Sequence, residues 1–194
     1  MSEEAIQSLL KSIKACRVCE EFLPLAPKPI LQISSTARLL ITGQAPGTIA
    51  HETGITFNDK SGDRLRCWLD IDRDTFYDKS KIAIVPMGFC YPGRLERGGD
   101  KPPRPECAPL WRDKILALFP NIQLTLLVGS YAQNYVLGKG SFTTRVRNFQ
   151  DYLPEYFPLP HPSWRTLAWA KKNPYFENEI LPTLREQIHN LLND

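Results

Sequence analysis

Apolar residues recur along this chain in two rhythms. Between residues 3 and 15, Ile6, Leu9, Leu10 and Ile13 return every three or four positions, which predicts an amphipathic helix. Residues 38–42, 81–86, 122–128 and 156–159 are instead short, nearly continuous apolar runs, the pattern of buried strands. Helical spacing returns between and after them. Leu65, Trp68 and Leu69 follow Ser61-Gly62-Asp63, which can cap a helix, and further helices are expected at about 108–118, at 130–137, around 164–171, and from about 174 to 192. Strands and helices therefore alternate. The expected fold class is α/β, a three-layer α/β/α sandwich around a central, mainly parallel four-stranded sheet, because parallel strands need crossover helices that cover both faces.

Composition narrows the class. The 194 residues are 42% hydrophobic, enough for one domain spanning 1–194 with a sizeable core, and no apolar run is long enough to cross a bilayer, so no membrane role is expected. The formal net charge of +3 permits a polyanionic partner without demanding one. Prolines gather at 24–29, 102–109 and 154–162, which marks rigid connecting loops rather than low-complexity linkers. The first ten residues carry Glu3 and Glu4 and no long apolar stretch, so a signal peptide is not expected and a cytoplasmic, reducing location is.

Two strand ends carry candidate chemistry. After the first strand the chain reads Gly43-Gln44-Ala45-Pro46-Gly47, a glycine-bracketed turn whose amides can approach a ligand closely; ligands of open α/β sheets sit beyond the carboxyl ends of the strands. The plain alternative is that glycine simply turns the chain there. After the last strand comes His161-Pro162-Ser163, a histidine at a strand terminus with prolines on both sides, poorly suited to core packing. Five cysteines complete the picture: Cys16 and Cys19 as C-x2-C, Cys90 and Cys107 separated by sixteen residues, and Cys67 apart in an amphipathic segment. An odd count argues against a complete disulfide framework, which leaves a metal site, with zinc on four thiolates as one possibility, or unliganded thiols.

Together, GQAPG and HPS resemble the two signature motifs of the uracil-DNA glycosylase superfamily, and Cys16, Cys19, Cys90 and Cys107 resemble the four ligands of the [4Fe-4S] cluster in its family 4 enzymes. The resemblance runs from Cys16 to about residue 184. It implies the α/β/α fold and a DNA repair glycosylase that flips a uracil, or a related deaminated base, out of DNA and hydrolyses its N-glycosidic bond. It implies a structural [4Fe-4S] cluster, with zinc as the alternative, and uracil-containing DNA as partner, without an obligate protein partner and with a monomeric state. By the same resemblance His161 lies against the uracil O2, and the backbone of Gln44 and Ala45 holds the base or the attacking water within the turn formed with Gly43, Pro46 and Gly47. Phe57 matches the aromatic residue on which the flipped base stacks. Ser163, Trp164 and Arg165 occupy the DNA-inserting loop, Arg165, Lys171 and Lys172 are phosphate candidates, and Ser61 and Gly62 are further ones at a helix start.

Departures from the family pattern bear on mechanism. Gln44 stands where family 4 has a glutamate, and Ala50 and His51 fall where a carboxylate follows; Ala45 stands where the best-studied branch has its catalytic aspartate. His51 or Glu52 is then left to orient water, and rate enhancement is expected to rest on electrostatics. The asparagine that commonly precedes the third cysteine is absent from Val85-Pro86-Met87-Gly88-Phe89-Cys90, with Asn58 as the substitute reader. Two other classes remain open: a non-catalytic nucleic-acid-binding member of the superfamily, and a hydrolase of free nucleosides or nucleotides.

Overall fold

The computed structural model describes residues 3–96 and 98–193. Four strands, β1 (Leu39–Thr42), β2 (Ile82–Ile84), β3 (Leu124–Val128) and β4 (Tyr156–Leu159), form one sheet in the order β2-β1-β3-β4, and every pairing is parallel. All four lie within the runs expected from the sequence. Parallel neighbours need long crossovers, and these supply the helices. The β1–β2 crossover carries α2 (Thr48–Thr53), α3 (Lys60–Leu69) and α4 (Arg73–Tyr77), and the β2–β3 crossover carries α5 (Cys107–Leu116). The β3–β4 crossover carries α6 (Ser130–Leu137) and α7 (Phe142–Arg147). α8 (Arg165–Lys172) and α9 (Leu181–Asn193) follow β4, and α1 (Glu3–Lys14) precedes the sheet.

Strand side chains alternate between two cores, as the pleat requires. Leu39, Ile41, Ile82, Ile84, Leu126, Val128, Phe157 and Leu159 enter one core with Leu65 and Leu69 of α3 and Leu184 and Ile188 of α9. Leu40, Ala83 and Val85 enter the other with Ile6 and Ile13 of α1 and with Ile115 and Phe119. Both faces of the sheet are thus covered. The outer edge of β2 is closed by Gln32, which exchanges backbone hydrogen bonds with Ile84 at 2.9 and 2.7 Å while its side-chain amide donates to Ile82 O at 2.8 Å. Among the described residues, no helix is long and apolar enough to cross a membrane.

Three local differences from the sequence expectation have physical causes. α2, α4 and α7 were not anticipated because helices of six, five and six residues are too short to display a 3.6-residue repeat. The cap of α3 is Asp59 rather than Ser61-Gly62-Asp63: its extended backbone lets the carboxylate accept the Gly62 N–H at 2.9 Å. The terminal helix begins as a π-helical turn over Phe176–Ile180, and this wider turn keeps Phe176, Ile180, Leu181 and Leu184 all buried.

Phe157 is fully buried in β4 and stacks on Phe149, with ring centroids 4.6 Å apart and planes inclined by 19°. Phe157→Ala is expected to cost about 3–5 kcal/mol of unfolding free energy in denaturant titration, the toll of lost burial plus a residual cavity.

Candidate functional site

Register fixes where the two motif loops leave the sheet. Thr42, Leu127 and Pro158 lie level across β1, β3 and β4, so Gly43 follows one step beyond that line and His161 three steps beyond it. Both loops therefore emerge on the carboxyl rim of adjacent-but-one strands, where α/β sheets bind ligands.

The first loop is held by its carbonyls and leaves its amides free. Met87 N–H donates to Gly43 O and Gly88 N–H to Gln44 O, each at 2.9 Å, and the Gln44 side-chain amide donates to Lys101 O at 2.8 Å. Among the described residues, the N–H groups of Gln44, Ala45 and Gly47 have no acceptor within the chain. The second loop is fixed equally closely. Ser163 N–H donates to His161 O at 2.8 Å, the Thr166 hydroxyl donates to the same carbonyl, and Arg64 Nη1 of α3 donates to Pro162 O at 2.9 Å. Gly129 at the end of β3 (φ +86°) lies against the imidazole-bearing residue; a side chain there would come within 3.2 Å of His161 Cβ.

Between the loops lies a cleft with about 60 Å³ of free space, several times the ~10–15 Å³ that one water needs. Gly43, Ala45, Phe57, Asp59, Asp100 and His161 are among the residues around it. Burial pushes the His161 imidazole below its ordinary value, with Asp59 pulling weakly the other way, so at neutral pH the ring is uncharged and offers one N–H donor. Burial likewise pushes the Asp100 carboxyl above the usual carboxylate range, although Arg94 opposes the shift and Asp59 adds to it.

Phe57 forms the wall opposite the turn, and its placement is the most constrained feature of the site. Its φ of +51° lies in the left-handed region, which costs a non-glycine residue on the order of 1 kcal/mol and persists only where the surroundings enforce it. Three groups do so. Tyr77 OH lies 2.8 Å from Thr56 O and 3.1 Å from Phe57 O, and the buried Arg66 donates through Nη1 to Phe57 O at 3.3 Å. Arg66 itself is paired with Asp63 at 2.6 Å and lies over the rings of Phe76 and Tyr77. Gly62 completes the clamp, because any Cβ at that position would lie 1.7 Å from Phe57 O. The Phe57 ring in turn meets Phe76 edge-on, with centroids 6.2 Å apart.

Gly43, Gln44, Ala45, Pro46, Gly47, Phe57, Ser61 and His161 thus converge on one cleft. Other residues singled out in the sequence do not. His51 packs its ring 5.9 Å from that of Tyr91, with Nδ1 buried and unpartnered, and is absent from the cleft lining. Asn58 turns its carbonyl to Arg73 Nη2 at 2.6 Å rather than inward. The Gly62 N–H is already taken by Asp59, so it is not free for a phosphate. Ser163 is half-buried, whereas Trp164 is 72% exposed at the rim. Arg165 donates to Gly98 O at 3.1 Å and its guanidinium lies 5.4 Å from the Trp164 ring, while Lys171 and Lys172 are exposed on α8. Two carboxylates missed in the sequence, Asp59 and Asp100, enter the cleft. Asp59 was legible as a helix cap; Asp100 gives no local signal, sitting in a glycine-rich stretch of the loop between two cysteines.

Away from the cleft, Cys16, Cys19, Cys90 and Cys107 line a second, small cavity of about 30 Å³, and Cys67 is exposed elsewhere on α3. Burial pushes the Cys90 thiol up to about 11 and the Cys107 thiol to about 12, each thiol raised further by its cysteine neighbours. Phe89 N–H lies 3.4 Å from Cys107 Sγ, the kind of amide–sulfur contact that favours a thiolate ligand. Among the described residues, no group of three or more His, Cys, Asp or Glu side chains is arranged to hold a single metal ion. Four thiols facing one enclosed, largely apolar space nevertheless make a donor set that suits a sulfur-ligated centre.

At an open helix position Gly→Ala stabilises by about 0.5–1 kcal/mol. Gly62→Ala is expected to do the reverse, destabilising by more than about 1 kcal/mol in thermal or denaturant unfolding, because α3 and the Phe57 carbonyl cannot both keep their places.

The family model of the Uracil DNA glycosylase superfamily matches residues 32–185 of this chain, a span that contains all four strands, the glycine turn, Phe57, Asp100 and the His161 loop. The all-parallel four-stranded sheet with helices around it is consistent with that match, and the chain belongs to the Uracil DNA glycosylase superfamily.

Proposed function

We propose that this chain is a DNA glycosylase that removes uracil, or a related deaminated base, from DNA. The observation that carries this reading is the convergence of His161 and the unclaimed amides of Gln44, Ala45 and Gly47 on a single cleft walled by Phe57. Breaking an N-glycosidic bond leaves negative charge on the departing base and positive charge on the sugar, so the catalyst needs donors already aimed at the base oxygen. A neutral imidazole on a loop whose backbone is fixed by three hydrogen bonds supplies such a donor with little reorganisation, and free main-chain amides add others. The Phe57 ring offers a stacking surface for a base that has left the duplex. Trp164, exposed at the rim beside that cleft, is the side chain suited to occupy the gap left by the everted base.

In this reading Cys16, Cys19, Cys90 and Cys107 hold a [4Fe-4S] cluster with a structural role, tying the segment after α1 to the start of α5. When bound, such a cluster cross-links these segments through four metal–sulfur bonds. It takes no part in the hydrolysis.

The test is release of base from oligonucleotides bearing uracil, hypoxanthine, xanthine or a mismatched thymine, in single- and double-stranded form. Uracil release is expected, with His161→Ala lowering the rate about 10²-fold or more while the protein stays folded. Protein that binds these oligonucleotides in a salt-sensitive way yet releases no base, or that turns over free nucleosides instead, would overturn the assignment. Protein purified anaerobically is expected to be brown and to contain iron and sulfide, and Cys90→Ala to lose the colour; a colourless, zinc-containing protein removes the cluster from the account.

A further inference from the structure

The glycine turn of this chain carries no carboxylate, yet hydrolysis needs a water oriented toward the sugar. Resting on the glycosylase reading, we propose that Asp100 is the water-activating carboxylate, delivered to the cleft by a hairpin from outside the two motif loops.

The hairpin is built from residues 93–96 and 98–101. Lys101 N–H donates to Gly93 O at 2.8 Å, Leu95 N–H to Gly99 O at 2.9 Å and Gly98 N–H to Leu95 O at 2.9 Å, and the backbones of Arg94 and Asp100 pair as an isolated antiparallel β-bridge. Gly93, Gly98 and Gly99 all have positive φ, so the tight reversal depends on them. Two clamps then fix this hairpin over the cleft. On one side Gln44, the residue that replaces an acid in the turn, donates its side-chain amide to Lys101 O at 2.8 Å. On the other, Arg165 at the start of α8 donates to Gly98 O at 3.1 Å. Asp100 is thereby held directly above the turn: a methyl group on Gly47 would lie 3.4 Å from Asp100 Oδ2.

The alternatives within the cleft fit this task less well. Asp59 has one carboxylate oxygen committed to capping α3. His51 and Glu52 lie outside the cleft lining, and their carbonyls accept from Lys28. Asp100 makes no hydrogen bond or ion pair with any described residue, so its oxygens are free for water. Among the described residues, the charged and titratable groups around it are Arg94 of its own segment, Asp59 at the start of α3 and His161 across the cleft. Partial burial raises its carboxyl above the usual range, which strengthens it as a base.

The step balances without a further reactant. As the sugar C–N bond breaks, its electron pair leaves with the base, whose oxygen accepts the His161 hydrogen bond. A water oxygen forms the new bond to the sugar carbon, and its proton passes to the Asp100 carboxylate and from there to solvent.

Asp100→Asn keeps the shape and removes the base. Under single turnover on a uracil-containing oligonucleotide it is expected to lower the rate by about 10²–10⁴-fold with little change in affinity for DNA carrying an abasic site, and to abolish the acidic limb of the rate–pH profile. Glu96→Gln, an exposed carboxylate of the same hairpin, is expected to leave both unchanged. An active parent with an equally active Asp100→Asn variant, or a variant that keeps the acidic limb, overturns the role of Asp100 alone. A parent that releases no base overturns the glycosylase reading and this role with it.

Discussion

Parallel pairing in register is the constraint from which the site follows. Because β1, β3 and β4 run the same way and Thr42, Leu127 and Pro158 lie level, the segments after β1 and β4 must leave the sheet on one rim. A shift of one residue in either pairing would turn each buried side chain toward the opposite core, which the two separate sets of packing partners forbid. Core packing thus fixes register, and register sets the distance between a histidine loop and a glycine turn separated by more than a hundred residues. The strand sequences carry no catalytic group themselves. Their contribution to function is placement.

Placement alone leaves the site unwalled, and the wall is made by a local conflict resolved in favour of geometry. Phe57 adopts a left-handed backbone that its side chain disfavours, and the chain compensates with a tyrosine hydroxyl, a buried arginine and a glycine that allows a helix to abut the Phe57 carbonyl. Burying Arg66 is itself unfavourable unless its donors are occupied; the Asp63 carboxylate, the Phe57 carbonyl, the Tyr77 hydroxyl and two aromatic faces occupy them. The same α3 that supplies Gly62 and Arg66 sends Arg64 to Pro162 in the histidine loop. One helix therefore braces both sides of the cleft, which is why the wall and the imidazole keep a fixed relation.

Much of this was readable in the sequence, and what was not shares a cause. The strands were legible because burial on both faces leaves continuous apolar runs, and the meeting of GQAPG with HPS was legible because each stands at a strand end. The short helices α2, α4 and α7 lacked the length for a period. Asp59 carries a capping signal of its own, but the neighbouring Ser-Gly-Asp reads as a cap too, and only the residue with extended backbone folds its carboxylate onto the helix start. His51 and Asn58 were reasonable substitutes by proximity in sequence, but α2 turns one toward Tyr91 and Arg73 holds the other. Asp100 lies more than fifty residues from both the glycine turn and the histidine loop in the chain, and only the hairpin brings it to the glycine turn; no periodicity or spacing encodes such a contact.

The charges of the cleft then fit together in one way. Burial lowers the pKa of His161 and raises that of Asp100, in each case because desolvation disfavours the charged form. For glycosidic hydrolysis this division is apt. In the proposed reaction the neutral imidazole donates to the base, and the carboxyl groups of Asp59 and Asp100 line the same cleft in which the sugar becomes positive. The cost falls on DNA binding, since two carboxylates repel a polyanion. That repulsion is local, whereas the formal +3 charge of the whole chain acts over roughly a Debye length of about 8–10 Å. In the glycosylase reading, long-range attraction brings DNA to the rim, and an everted nucleotide brings its sugar toward these carboxyl groups while its flanking phosphates stay outside.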